Sequence, residues 1–334
     1  MASEFSPSRY RATIISIVFC AVPCGGIVIG ILAAVLLGSH GWQFLYILCS
    51  GLTAVMLVTS LFILPESPAL LLVKGDAQER VRRIMRRVVG DGSDISNVRF
   101  VSLVQQSSSR ESISRLFSDS RTAFTVLLWC AFYLSYAVII GSLVWMPGLM
   151  KQSGMTISEG SIILSLFNFG GVVGILVGGQ LADRARNSFS MILAGLFLLG
   201  SVALGFLGGV GTAVTLAMIV ATAAGFLLTS GQAGIYSLAG LVYPVSARST
   251  GIGWGSALGR IGAASGPLFV GTMVSMGWSV QTTYGGLALL ALLNVPVLFL
   301  IHRVVNKRRL LTAHSEEARA GAAGLGRPIG AEAQ

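Results

Sequence analysis

The chain has 334 residues, of which 54% are hydrophobic and only 11% charged, with a mean hydropathy of +0.79. A soluble domain carries roughly 25% charged residues, so too few remain here to coat a soluble globular enzyme, and a disordered chain, which needs low hydrophobicity, is excluded. The net charge of +10 does not point to nucleic acid, because in a polytopic helical membrane protein basic residues gather in the cytoplasmic loops.

A membrane-crossing helix needs about 20 mostly apolar residues. Eight runs are expected to meet that need: residues 12–37, 42–64, 122–149, 157–181, 190–209, 213–240, 250–275 and 281–302. The first is preceded by Glu4, Arg9 and Arg11, which does not read as a cleavable signal peptide. Cys20 and Cys24 lie on one face of the first run, Cys49 in the second and Cys130 in the third. With no His beside them they read as small apolar packing residues rather than metal ligands. Residues 65–121 form the one long interruption and hold ten basic residues, among them Arg82, Arg83, Arg86 and Arg87. Within it, Asp76–Val89 reads as a cationic amphipathic helix on the membrane surface, with anionic lipid as an alternative ligand; 91–112, rich in Ser, Asp and Asn, reads as a flexible linker. No run has Asp or Glu in its middle, and only the seventh has a deep basic residue, Arg260. Residues 303–334 read as a mobile tail.

Lys and Arg in the loops give the orientation. Basic residues occur before the first run, in 65–121, at Arg184 and Arg186, at Arg248 and in the tail; the alternate loops hold only Lys151. Both termini are therefore expected to be cytoplasmic, with the chain in an inner or plasma membrane.

Several motifs stand in order at these boundaries. Glu4-Phe-Ser-Pro7-Ser-Arg9 precedes the first run, Leu64-Pro-Glu66-Ser-Pro68 follows the second, and Gly179-Gln-Leu-Ala-Asp183-Arg184 follows the fourth. Together they resemble the major facilitator superfamily, in which similar motifs follow the fourth, sixth and eighth of twelve spans. The resemblance implies an all-α polytopic helical bundle whose eight spans correspond to the fifth through twelfth. It divides the chain into the remainder of an N-terminal bundle (1–64), a central cytoplasmic loop (65–121), a C-terminal six-helix bundle (122–302) and the tail (303–334). It also implies that the chain is shortened at its N-terminal side. The Gly-x-Leu-x-Asp-Arg copy departs from the pattern at Arg186, Asn187 and Ser188, where Gly and two basic residues would follow.

A finer set lies further on: Trp145-Met-Pro147, Leu166-Phe-Asn-Phe-Gly-Gly171, Tyr243-Pro-Val-Ser-Ala-Arg248-Ser-Thr-Gly251 and Gly255-Ser-Ala-Leu-Gly-Arg260-Ile-Gly262. It resembles the aromatic acid:proton symporters, which import benzoate-type carboxylates. Sugar and organic-ion porters share part of it.

Solute sites in such transporters lie near the bilayer midplane, about ten residues in from either face at 1.5 Å per residue. Counting inward gives Tyr133 and Tyr136 in the third span, Asn168 in the fourth, Gln232 and Tyr236 in the sixth and Arg260 in the seventh, with Trp254 nearer the cytoplasm. An arginine at that depth costs about 3 kcal/mol or more unless paired or hydrated. Its planar fork suits a carboxylate, and the alternative is a helix–helix ion pair or a snorkelling position. The tyrosines and Asn168 could instead bridge helices, and Trp145 could be an interfacial anchor. Asp183 and Arg184 read as a cytoplasmic gate, with Glu4, Arg9 and Glu66 as matching interlocks.

These residues are expected to serve a secondary active transporter of a small organic anion, an aromatic carboxylate, by proton symport and alternating access. A sugar, osmolyte or drug transporter of the same superfamily, and a non-functional remnant, are the alternatives. Because no span carries a titratable acid, the proton-carrying group is expected in spans outside this sequence. No enzyme constellation, cofactor or metal site is expected. The expected partners are the anion, protons and the lipid bilayer, with no nucleic acid, and the protein is expected to be a monomer.

Overall fold

The computed structural model describes residues 11–63, 122–184, 188–243 and 245–307, which are helical apart from short turns. The helices are α1 (Arg11–Ile63), α2 (Thr122–Gln152), α3 (Ile157–Arg184), α4 (Phe189–Gly209), α5 (Val214–Val242), α6 (Val245–Ser275) and α7 (Val280–Leu292). After a one-residue turn at Leu293 the chain resumes as α8, residues 294–307. The described residues are thus all-α, as the composition required. The basic segment 65–121 and the tail beyond 307 lie outside the described residues.

Six of these stretches are long and apolar enough to cross a membrane, against the eight expected. The difference has two sources. The first two expected spans are two helices within α1 that meet at a kink at Gly41, whose φ of 76° and ψ of 173° are not helical. A side chain at that φ would be strained, so the kink needs glycine. The other source is α6. It is 31 residues long but so rich in Gly, Ser and Ala that it falls short of its neighbours' apolarity.

The turns away from the basic loops share a device. Besides Gly41, the connections α2–α3, α4–α5 and α6–α7 each contain one positive-φ glycine, Gly154, Gly211 and Gly277. At α3 and α7 local capping then starts the helix. At α3 the Glu159 carboxylate accepts from the Thr156 N–H (2.7 Å) and hydroxyl (2.8 Å), while the Glu159 N–H donates to Thr156 Oγ1, a reciprocal capping box. At α7 the Ser279 hydroxyl accepts from the Thr282 N–H at 3.2 Å.

Between helices the seams are made of small residues. Lipid tails are as apolar as leucine, so helices in a membrane associate through close van der Waals contact rather than escape from water. The principal pairs are α3 with α5, α2 with α6 and α1 with α3. Gly170, Gly174 and Gly178 of α3 lie one turn apart against Thr222, Phe226 and Ser230 of α5. Gly26 and Gly30 of α1 press on Asn168 and on Ser161 and Ser165 of α3. That last seam is pinned by the Ser158 hydroxyl, which donates to the Ala34 carbonyl at 2.9 Å, and by Ser165, which donates to Ile27 at 3.3 Å. Larger buried side chains, including Phe132, Phe167, Phe197 and Leu228, fill the space between seams.

The α2–α6 seam is the tightest test of this packing. A Cβ at Gly262 or Gly266 would run into the backbone carbonyl of Tyr133 or Ala137, whereas Gly253 faces open space. Gly262→Val is expected to destabilise the protein by about 1–3 kcal/mol, the range for overpacking, while Gly253→Ala does not lower the unfolding temperature in detergent. Equal behaviour of the two variants would contradict the seam.

Candidate functional site

Four glycines of α6, Gly255, Gly259, Gly262 and Gly266, form the face that meets α2. Gly255 lies under the Phe132 ring and Gly259 under the Tyr136 ring, while Gly262 and Gly266 meet the α2 backbone itself. The Phe132 and Tyr136 rings of α2 therefore pack directly on the α6 backbone. From that position the Tyr136 hydroxyl reaches α5 and shares a hydrogen bond of 2.7 Å with the Tyr236 hydroxyl. The Phe132 ring meets Tyr236 edge-on, with centroids 4.8 Å apart, a favoured arrangement for aromatic pairs.

Arg260 follows Gly259 by one residue, which turns it about 100° away from the α2 seam. It stands fifteen residues from each end of α6, at mid-depth. It is exposed, on a stripe with Gly253, Ala257 and Ala264, which are exposed too. Small neighbours leave its guanidinium room. Its charge is within electrostatic reach of the Tyr236 hydroxyl. Among the described residues it has no carboxylate partner, and the acids of the described helices stand only at the two ends of α3, Glu159 and Asp183. One turn before Tyr236 on α5, Gln232 holds a buried Nε2 with no hydrogen-bond partner among the described residues. A buried amide donor left without an acceptor costs about 1–3 kcal/mol, so an acceptor arriving there would be favoured.

The structure therefore brings Tyr136, Tyr236, Gln232 and Arg260 to one region where α2, α5 and α6 meet. It sends the other expected residues elsewhere. The Tyr133 hydroxyl bonds to Ser265 at 2.9 Å, and its ring lines an apolar cavity between α2, α6 and the α7–α8 break. Trp254 is half exposed and lies beside Trp129, with centroids 6.2 Å apart. Asn168 is buried, donates to its own helix at Leu164 (2.9 Å) and faces Gly26 of α1. Asp183 and Arg184 end α3; Glu4, Arg9 and Glu66 lie outside the described residues. The Trp145 indole N–H donates to the Pro267 carbonyl at 2.9 Å, clipping α2 to α6. A second cavity, between α4, α5 and the start of α7, touches none of these residues. Among the described residues no cluster of His, Cys, Asp or Glu could hold a metal ion.

Ser265 and Trp129 are additions that depth-counting passed over. Trp129, Phe132, Tyr133 and Tyr136 recur at helical spacing on α2. That periodicity, set beside the glycines of α6, was the available signal.

Comparison with known proteins agrees with this architecture. Residues 1–232 and 128–329 match the family model of the Major Facilitator Superfamily. The chain is 29% identical over 311 residues to the benzoate transport protein of Acinetobacter baylyi, covering 93% of this chain and 65% of that protein. It is 31% identical over 301 residues to the 4-hydroxybenzoate transporter PcaK of Pseudomonas aeruginosa, covering 90% and 66%. It is also 29% identical over 278 residues to the gallate transporter of Pseudomonas putida, covering 83% and 61%. The chain thus spans slightly under two thirds of the length of these relatives. Among solved structures, the proton:xylose symporter XylE bound to 6-bromo-6-deoxy-D-glucose superposes with a TM-score of 0.58 at 16% identity, covering 89% of this chain and 65% of that one. At that identity the likeness is one of fold.

The hydroxyl pair can be tested directly. Tyr136→Phe, Tyr236→Phe and the double variant are expected to show a coupling of about 0.6 kcal/mol in a stability cycle, the average for interhelical hydrogen bonds in a membrane. Strictly additive losses would show that the two hydroxyls do not bond.

Proposed function

The chain belongs to the major facilitator superfamily, and on that premise we propose that it serves the secondary active transport of a small organic anion, an aromatic carboxylate of the benzoate type. The observation that carries this reading is Arg260: a cation at mid-depth of α6, on an exposed stripe of small residues, with no carboxylate partner among the described residues. The names of the similar proteins, transporters of benzoate, 4-hydroxybenzoate and gallate rather than enzymes, support the choice of solute class.

In this reading the solute brings the missing carboxylate. The guanidinium fork receives both oxygens, which is a geometry lysine lacks. The ring of the solute lies against the aromatic face of α2 and α5, where Phe132, Tyr136 and Tyr236 gather. The Gln232 Nε2 gains an acceptor from the solute's oxygens. Arg260 then has a hydrated state when empty and a paired state when occupied, and each avoids the cost of a bare charge in the membrane.

Alternating access follows from the rocking of helix bundles about a mid-depth site. The α1–α3 seam of Gly26, Gly30, Ser161 and Ser165 is where the first part of the chain would slide on the rest. Asp183 and Arg184, at the basic end of α3, act as the gate on that side, with Glu4, Arg9 and Glu66 as its interlocks. Proton symport needs a titratable acid at membrane depth. The described spans hold none, so the proton is carried by a group outside them, and Arg260 answers to its charge state.

Uptake of radiolabelled benzoate and 4-hydroxybenzoate by cells expressing the protein tests the assignment. Arg260→Ala is expected to lose about 2–5 kcal/mol of solute interaction, as when one partner of a desolvated charge pair is removed, and Arg260→Lys restores only a fraction. Uptake of these acids by Arg260→Ala at the unmodified rate would overturn the role of Arg260. Failure of the unmodified protein to take up any aromatic acid, with uptake of an uncharged solute instead, would overturn the substrate class.

A further inference from the structure

The cavity that Tyr133 lines has a volume of about 530 Å³ and no charged side chain on its walls. Val126, Cys130 and Leu134 of α2 form one wall, Leu258 of α6 the floor, and Pro296 and Val297 of α8 the other wall. A carboxylate would find nothing there to replace its hydration, at a cost of several kcal/mol, so this is not a second solute site. Its chemistry suits a hydrocarbon chain.

The charge at one end of the cavity says which molecule carries that chain. Along α7 and α8 the residues Leu293, Pro296, Leu300, Arg303 and Lys307 recur at three- and four-residue steps and so share one helix face. The upper part of that face lines the cavity. The lower part presents Arg303 and Lys307, both exposed. The Arg303 guanidinium rests over the Phe299 ring, 4.7 Å from its centroid, which holds the charge at the helix surface. From Leu293 to Arg303 is ten residues, about 15 Å along a helix. That equals one leaflet of a hydrocarbon core about 30 Å thick. An apolar cavity at Leu293–Val297, with two exposed cations further along the same helix face, matches an acyl chain and the headgroup beyond it.

We infer that this groove between α2, α6 and α8 is a binding site for an anionic phospholipid of the leaflet at the basic end of the bundle, its acyl chain along Pro296 and Val297 and its phosphate at Arg303 and Lys307. The site is separate from Arg260 and does not depend on the solute assignment. It places a lipid against the α2–α6 pair that carries the tyrosines. Tyr133, which lines the groove, also bonds to Ser265 of α6.

Native mass spectrometry of the full, delipidated chain titrated with phosphatidylglycerol and with phosphatidylcholine of the same acyl composition tests this. Phosphatidylglycerol is expected to bind about thirtyfold more tightly, the increment two basic residues give at a membrane surface. Arg303→Gln with Lys307→Gln removes that preference. Val297→Trp, which fills the groove, weakens both lipids, and Cys130→Phe does the same from the opposite wall should the first variant fold poorly. Equal binding of the two lipids by the unmodified protein overturns the proposal. So does unchanged phosphatidylglycerol binding in both groove-filling variants, which would mean a contact through charge alone. Displacement of bound lipid by benzoate would make the groove a solute path and overturn it as well.

Discussion

The arrangement depends on how closely α6 can approach α2. In water, two helices are driven together by the burial of leucines; in a bilayer that drive is absent, and contact area must supply the attraction. Gly255, Gly259, Gly262 and Gly266 remove every side chain from one face of α6, so that its backbone touches that of α2 and the rings of Phe132 and Tyr136 pack upon it. Each glycine weakens the helix locally by about 1 kcal/mol relative to alanine. Intrahelical hydrogen bonds that have no competing water make this tolerable in a membrane.

That approach decides where the polar groups go. With α6 seated on α2, the Tyr136 ring lies against Gly259, and its hydroxyl extends to Tyr236 on α5. The same seating turns Arg260 away from α2 onto an open stripe of glycine and alanine. At the far end Trp145 donates to Pro267, whose ring interrupts the helix ladder of α6. The seam is thus held by Trp145 beside the proline and by backbone contact at the glycines.

Much of this was legible in the residues, and the parts that were not share a cause. The long apolar runs, the kink near Gly41 and the singular depth of Arg260 follow from local composition and from charge placement. Counting residues from a helix end gives depth but not azimuth. Tyr133 and Tyr136 were expected in one layer and are nearly at one depth, yet one bonds to Ser265 and the other to Tyr236. Asn168 has the expected depth but faces Gly26. Which helix each face meets is set by interhelical contact, and one span's sequence does not contain it. The small residues that let α6 pack also lower its apolarity, so the helix on which the site depends is the one composition ranks lowest among the described helices.

The central claim is that the face of α6 bearing Arg260 opens to water within the membrane rather than to lipid. Replacing the native cysteines Cys20, Cys24, Cys49 and Cys130 by serine or alanine and introducing Arg260→Cys provides one thiol at that position. Reaction with a charged, water-soluble methanethiosulfonate reagent reads its environment, since thiols react as thiolates and these form in water. The account predicts rapid labelling at position 260 and no labelling when the thiol is placed instead at Leu199, an exposed leucine midway along α4. A thiol at 260 as unreactive as one at Leu199 would place Arg260 against lipid and contradict it.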